Sequence, residues 1–291
     1  MDPEHSALPH DSVVRALTDD SAFRIIAART VQTVDEIVRV QAPPPELLTS
    51  LADLVSGAIL VRETMAPTLR VQAVLKGGAG SGQLVADSFP DGTTRGLAMQ
   101  NAARTLSASQ NSSAVLQVMR SMPHGGLHQG IVELPYRSSI SEAMMSYMQQ
   151  SEQVLSMVDL RSISQDEGIE NAGGFIVQLL PEAQPEALDA MIARLSGDSP
   201  LVAWLQKPQG TALDLLAMVL DGIPYTLLEE SPLRFGCQCS ALRLITSMST
   251  LPREEIESFV SAGEPLEIRC DYCMQLYRLD TEQLRGLLTS N

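Results

Sequence analysis

The sequence predicts an α+β fold with three regions: an N-terminal antiparallel-sheet domain with helices, a helical linker region and a small C-terminal domain. Between residues 68 and 134, apolar residues alternate with polar ones as in half-buried strands, and glycine and proline separate the segments. Between 182 and 232, short segments with helical spacing are separated by helix breakers, and all four cysteines follow between 237 and 273. The predicted domain boundaries are therefore 1–181, 182–232 and 233–291.

The N-terminal region is predicted element by element after a frayed polar tail that ends at Asp11. The first part of 12–42 is predicted as a strand and Thr30–Val40 as a helix, which the three prolines at 43–45 end because proline lacks an amide donor. Glu46–Glu63 is predicted as a helix because its apolar residues recur at i, i+3 and i+4. The strands predicted after it, of which the first three form an antiparallel meander, are 68–76, 83–88, 94–99, 114–122 and 130–134. A helix over Ser139–Gln150 and the apolar segment Phe175–Leu180 complete this region.

The linker region is predicted to be helical but only modestly stable. Glu186–Leu195 and Thr211–Leu220 carry apolar residues at helical spacing. The breakers around them are Pro185, Gly197, Pro200, Pro208, Gly222 and Pro224. Short helices interrupted this often limit cooperative folding.

Composition restricts the classes of partner. The net charge of −15 repels phosphate backbones and anionic lipid, so neither nucleic acid nor a membrane surface is expected as a partner. The longest apolar stretches fall far short of the ~20 residues that a membrane helix needs. The N-terminus is acidic and lacks the pattern of a secretory signal, and a cytoplasmic location is expected.

Three local patterns that resemble catalytic or ligand sites have simpler interpretations. Lys76 precedes the glycine-rich turn 77–82 and a strand follows it, whereas a phosphate-binding loop needs Gly-Lys-Ser/Thr before a helix. His124 and His128 flank a turn and are interpreted as part of a solvated loop. Ser151-Glu152-Gln153 has no nearby histidine base, so a packing or capping role is favoured. No nucleotide site and no catalytic residue is predicted.

The four cysteines form two chelating pairs, Cys237-Gln-Cys239 and Cys270-Asp-Tyr-Cys273, separated by thirty residues. A CxxC turn directs two sulfurs to one point, and in an extended CxC segment residues i and i+2 face the same side. Zn²⁺ prefers four such ligands in a tetrahedron, so the spacing predicts one zinc ion per chain and a small C-terminal zinc-binding domain. Because protein would fill all four positions, the zinc is not expected to be catalytic, and the chain is not expected to be an enzyme.

The cysteine pattern alone leaves several roles open. The simplest is a structural zinc site, including a zinc-ribbon scaffold or a nucleic-acid-binding protein, and a thiol oxidoreductase that uses the CxxC pair is another. A redox trigger is the third, because bound zinc keeps cysteines as thiolates, which is their oxidisable form. Four arginines close in sequence can offset the charge of about −2 on a four-thiolate zinc site. They are Arg234, Arg243, Arg269 and Arg278.

The whole chain resembles the heat shock protein 33 family of redox-regulated chaperones. The CxC and CxxC pairs are similar to the family's C-terminal signature, and Tyr277 also fits it. Two interior segments are similar to family motifs: the one from Tyr147 to Ser151-Glu152-Gln153, and Ala172-Gly173-Gly174 with Gln178 and Pro181. Segment 80–87 with Arg95-Gly96 is also similar to the family pattern, and the resemblance covers roughly residues 12–288.

This resemblance implies an ATP-independent holdase that binds unfolding proteins under oxidative and heat stress. It implies that Cys237, Cys239, Cys270 and Cys273 are zinc ligands in the reduced state. On oxidation, it implies that disulfides Cys237–Cys239 and Cys270–Cys273 form and that the zinc is lost. Residues 182–291 would then unfold and expose apolar surface to client proteins, and the oxidised protein would be a homodimer. The chain departs from the family pattern after its CxC pair, where Ser240-Ala241-Leu242-Arg243 replaces a charged run, and at Tyr272, where phenylalanine is common.

Overall fold

The computed structural model describes residues 9–77, 82–99, 114–122, 125–135, 138–181 and 183–289. Contacts between Cα atoms divide the chain into two compact units, Met1–Phe235 and Gly236–Asn291. Among the described helices, none combines the length and apolarity that a membrane span requires. Most of the predicted N-terminal tail (1–8), the centre of the glycine turn (78–81) and His124 lie outside the described residues, as does Gly80 of the family-like segment.

The first unit contains, in chain order, β1 (Ser12–Thr18), β2 (Phe23–Arg29), α1 (Val31–Gln41), a 3-10 turn (Pro45–Leu47), α2 (Leu48–Glu63), β3 (Val71–Lys76), β4 (Gln83–Ser88), β5 (Thr93–Met99), β6 (Ala114–Ser121), β7 (Leu127–Leu134), α3 (Ile140–Gln150), β8 (Ser156–Gln165), β9 (Gly168–Leu179), α4 (Pro185–Leu195), α5 (Pro200–Leu205), α6 (Ala212–Leu220), β10 (Tyr225–Pro232) and β11 (Arg234–Phe235). The second unit contains α7 (Ala241–Met248), α8 (Arg253–Ala262), β12 (Leu266–Arg269), β13 (Leu276–Leu279) and α9 (Thr281–Thr289). The predicted α+β class is confirmed.

Two sheets form the frame of the first unit. One has five antiparallel strands in the order β10-β1-β2-β9-β8, and the other has six strands in the order β11-β5-β4-β3-β6-β7. Strands β3, β4 and β5 are adjacent and antiparallel, which confirms the predicted meander. The short β11 pairs in parallel with β5.

Helix α2 lies in the main core and contacts strands of both sheets. Its sequence is apolar on every side, as expected for a helix buried all round. Leu51, Leu54 and Ile59 are fully buried. At Gly57 an added Cβ would lie 2.8 Å from the Met144 side chain of α3, so glycine allows the two helices to pack closely.

A second core lies on the opposite face of the five-stranded sheet, under helices α4 to α6. These helices occupy most of the region predicted as a linker. The fully buried members of this core include Val14, Ile25, Val177, Leu201, Trp204, Leu215 and Leu216. Whether residues 182–232 behave as a separate domain stays a prediction, but in this structure they cover an apolar sheet face.

Several strands differ from their predicted bounds. Strand β7 begins at Leu127 and not at Gly130, so His128 lies in a strand and not in the predicted loop. Strand β9 runs through Gly173 and Gly174, so it begins well before the predicted segment Phe175–Leu180. An added Cβ would lie 2.5 Å from the Ala28 carbonyl oxygen at Gly173 and 2.6 Å from the Asp159 carbonyl oxygen at Gly174. The two glycines therefore permit close approach of the neighbouring strands instead of ending the strand. Strand β10 was also missed, because Glu229 and Glu230 interrupt its apolar pattern.

Candidate metal centre

The second unit has a small core that leaves much of its stability to other interactions. Its buried members are Met248, Ile256, Leu279, Leu284 and Leu287. Domains of this size commonly need a metal or disulfides because they bury too little apolar surface. The four cysteines are all in this unit.

The CxC pair lies in an irregular segment that leads into α7. The Ser240 side chain caps this helix by accepting a hydrogen bond from the Arg243 amide at 3.2 Å. The Arg243 guanidinium in turn donates to the Gln238 carbonyl oxygen at 2.8 Å. The start of α7 therefore fixes the backbone that carries Cys237 and Cys239.

The CxxC pair occupies the turn of the β12–β13 hairpin. The Cys270 amide donates to the Gln275 carbonyl oxygen at 2.9 Å, and the Met274 amide donates to the Cys270 carbonyl oxygen at 2.8 Å. Met274 adopts a left-handed conformation with φ of 58°, which reverses the chain after Cys273. The turn places both sulfurs on the side where the CxC pair lies.

All four sulfur atoms lie within 4.8 Å of one another. The Cys237 and Cys270 sulfurs are 3.7 Å apart, and those of Cys239 and Cys273 are 3.3 Å apart. Sulfurs at the corners of a tetrahedron around zinc, each about 2.3 Å from the metal, are roughly 3.8 Å apart. The structure thus brings together all four predicted residues, and they can hold a metal ion.

The thiols of the cluster ionise with difficulty unless a cation offsets the charge of the thiolates. Burial raises the pKa of the Cys270 thiol, and it raises the pKa of Cys273 to about 12, with the neighbouring thiols adding to the effect. Without a cation these thiols stay protonated at neutral pH, whereas a divalent metal would stabilise the thiolates. The donor set therefore fits a borderline-soft metal such as zinc.

Tyr277 is a further residue of the site. Its hydroxyl donates to the Cys239 sulfur at 3.0 Å, and this contact raises the pKa of Tyr277 to about 12. In the sequence alone, Tyr277 stands out only as a family-like position. The signal for its role is its place on β13, shortly after the CxxC turn.

The arginines expected to offset the site charge have varied partners. Arg278 donates to Glu267 across the hairpin at 2.6 Å, and Arg234 pairs with Asp91 in the first unit at 3.8 Å. Arg243 reaches the cysteine segment directly, through its bond to the Gln238 backbone. Its side chain therefore helps to hold the CxC segment in place.

The Ser151-Glu152-Gln153 segment has the structural role that its sequence favours. Glu152 accepts hydrogen bonds from the Tyr147 hydroxyl at 2.5 Å and from Arg120 at 2.8 Å. These contacts join α3 to β6. Burial, with the bond to Glu152, raises the pKa of Tyr147, so its hydroxyl stays a donor.

Comparisons with known proteins agree with this fold. A family model described as Hsp33 protein matches residues 11–280. The 33 kDa chaperonin of Syntrophotalea carbinolica is 28% identical over 96% of this chain and 99% of its own length. That of Bacillus licheniformis is 28% identical over 95% and 98%. The crystal structure of a 33 kDa chaperonin from Thermotoga maritima has the same fold, with a TM-score of 0.81, 22% identity, and coverage of 97% of this chain and 99% of that one.

Proposed function

This chain belongs to the heat shock protein 33 family, and on that basis we propose that it is an ATP-independent chaperone whose client binding is switched on by oxidation. The observation that carries the proposal is the cluster of four cysteine sulfurs within 4.8 Å of one another, in a chain that matches the family model over residues 11–280. The protein would hold unfolding proteins without chemical turnover, in the cytoplasm and as a homodimer when oxidised.

The sensor is the cysteine cluster. Zinc, when bound to Cys237, Cys239, Cys270 and Cys273, would keep the sulfurs as thiolates and join the CxC segment to the CxxC turn. Peroxide would oxidise each pair to a disulfide: two thiolates lose two electrons, and one hydrogen peroxide accepts them together with two protons from the solvent and becomes two waters. Two disulfides would remove all four metal ligands.

The disulfide pairing decides what oxidation does to the fold. The proposed disulfides, Cys237–Cys239 and Cys270–Cys273, each lie within one segment, so they would release the CxC segment from the CxxC turn. Disulfides between the sulfurs 3.7 and 3.3 Å apart would instead hold the two segments together. Local pairing is therefore the arrangement that a switch needs.

Loss of the metal would unfold the second unit. Structural zinc contributes roughly 10–16 kcal/mol in small domains, against a total stability of about 5–15 kcal/mol for a typical domain. The core of this unit is too small to replace that contribution. Gly236 follows β11 directly in the chain, and we infer that the unfolding extends through β11 into the linker region.

The output is the apolar sheet face under α4 to α6. Two polar side chains of the sheet hold the α5–α6 connection: Arg29 donates to the Gly210 carbonyl oxygen at 3.1 Å, and Asn171 donates to the Leu205 carbonyl oxygen at 2.8 Å. Release of these helices would expose side chains such as Ile25 and Phe175 to unfolded proteins. The net charge of −15 would keep the resulting complexes soluble.

The proposal is tested by oxidising the purified protein with peroxide at raised temperature and following the aggregation of an unfolding client by light scattering. The oxidised protein should suppress aggregation and the reduced, zinc-bound protein should not. Equal protection by both forms would rule out the switch. Protection by neither form would rule out the chaperone activity.

A further inference from the structure

Strand β10 covers the edge of the five-stranded sheet with little burial of its own side chains. It pairs with β1 from Tyr225 opposite Thr18 to Pro232 opposite Ser12. Its side chains are mostly exposed: Leu227 is 43% and Leu228 is 55% accessible. The pairing therefore rests mainly on main-chain hydrogen bonds.

The pairing between β10 and β1 is also irregular. A bulge lies between Arg15 and Ala16, where Leu228 has no partner residue on β1. Polar contacts hold the strand at its sides: Arg15, which is part-buried, donates to Ser231 at 3.0 Å and pairs with Glu229 at 2.6 Å, and Thr226 donates to Asp19 at 3.1 Å. All of these contacts are lost when β10 leaves β1.

Strand β1, which pairs with β10 in the sheet, is much more apolar. Val13, Val14 and Ala16 of β1 are fully buried, and Val14 and Ala16 belong to the core that α4 to α6 cover. Opposite Val14, β10 presents the exposed Glu230. A charged residue on an edge strand protects a sheet from pairing with other chains.

The position of β10 in the chain connects it to the switch. It follows α6 and precedes β11 and Cys237, so it lies inside the segment whose unfolding is proposed above. If that segment unfolds, the edge of β1 loses its partner at the same time as its apolar face loses α6. The inference that follows rests on the proposed function.

We propose that the edge of β1 is a client-binding site, and that an extended segment of an unfolding protein adds to the sheet there in place of β10. Main-chain pairing does not depend on sequence, which suits varied clients. The preferred segments have aliphatic or aromatic residues at alternate positions, because one of these opposite Val14 covers more apolar surface than Glu230 does. Such a segment outcompetes the chain's own β10 once the helices have left.

A peptide tests the geometry directly. The probe is a fluorescent peptide with the sequence of residues 225–232 and the change Glu230→Val, and its binding to the full-length protein is measured by anisotropy. It should bind the oxidised protein and not the reduced one. Two control peptides carry N-methyl groups either on the amides that face β1 or on those that face away from it, each set being assigned separately on the two sides of the bulge at Leu228. Methylation of the amides that face β1 should weaken binding by at least about tenfold, because their hydrogen bonds are lost. Methylation of the other amides should have little effect. Equal effects of the two sets would overturn the proposal.

Amide hydrogen exchange locates the client. Oxidation should speed exchange in β1, and added unfolded client should slow it again, while the internal strand β9 stays protected throughout. Fast exchange in β1 with client bound would overturn the proposal. Protection that appears without client and increases with protein concentration would assign the edge to a second copy of this chain, and would also overturn it.

A variant of the full chain separates this proposal from the switch. Glu230→Val makes β10 a better cover, so the oxidised variant should hold client several-fold less well than wild type, and Glu230→Gln is the matched control. Zinc release and thiol loss should be unchanged in both. Equal or better holding by Glu230→Val would overturn the edge proposal and leave the switch intact. An oxidised wild type that holds no client would overturn both.

Discussion

Trp204 offers a way to open the helical cover without touching the cysteines. Its side chain is fully buried under α5, and its indole nitrogen donates to the Thr211 carbonyl oxygen at 2.9 Å, which joins α5 to the start of α6. Its ring packs on Gly173 of β9, where an added Cβ would lie 3.0 Å from it. The substitution Trp204→Ala removes this packing and the hydrogen bond together.

The expected loss is about 3–5 kcal/mol, as for other buried tryptophans replaced by alanine. Because every 1.4 kcal/mol is tenfold in an equilibrium, the population with α4 to α6 detached should rise roughly 100- to 4,000-fold. We therefore expect Trp204→Ala to suppress client aggregation while reduced, with its metal and four thiols intact. Val202→Ala is the matched control, since Val202 lies on the same helix and is 44% exposed, and it should change stability by less than about 0.5 kcal/mol.

The assay combines light scattering with a client, metal content, a free-thiol count and amide exchange over residues 183–232. If reduced Trp204→Ala exchanges fast in this region but does not suppress client aggregation, the client surface does not lie beneath these helices. If its exchange is the same as in wild type, the expected loss of about 3–5 kcal/mol is wrong.

Two further predictions concern Asp53 and Tyr277. Burial raises the pKa of Asp53 to about 6. The negative charge of nearby Asp159 also raises this pKa, whereas the hydrogen bond that Asp53 accepts from Ser162 lowers it. A carboxyl with a raised folded pKa contributes stability that is present below the ordinary value of 3.8 and lost as pH rises through about 6. Asp53→Asn should therefore be more stable than wild type by roughly 3 kcal/mol at pH 7.5 and equal to it near pH 3, as urea denaturation would measure; equal stability at pH 7.5 would contradict this. Tyr277→Phe removes the hydrogen bond to the Cys239 sulfur. It should keep its zinc but lose thiols to peroxide several-fold faster in a timed thiol titration, and an unchanged rate would show that this bond does not protect the site.

The parts of the fold that could be predicted from sequence are those with a local signal. Helix α2 has apolar residues at helical spacing, and β3 to β5 alternate between turns, so both were found. The cysteine site was predictable because a few residues at fixed spacing define its chemistry. Strand β8 carried a usable signal, since Val158 and Leu160 alternate with charged residues, but it was missed.

The remaining features depend on residues far apart in the chain. Gly173 and Gly174 look like a break until the strands on either side are known. Arg29 ends an apolar strand, and only the fold places its guanidinium between Asp11, at 2.8 Å, and the Gly210 carbonyl oxygen. The sequence predicted helices in the linker region, but it contained no sign that they cover a sheet face or that β10 closes its edge.

The central claim is that oxidation of the four cysteines turns on client binding, and a stepwise peroxide titration tests it most directly. At each step, released zinc, free thiols, disulfide connectivity and client protection are measured on the same sample. We expect one zinc released and four thiols lost per chain, disulfides Cys237–Cys239 and Cys270–Cys273, and protection of the client that rises in parallel. Complete loss of zinc and thiols with no gain in protection would contradict it.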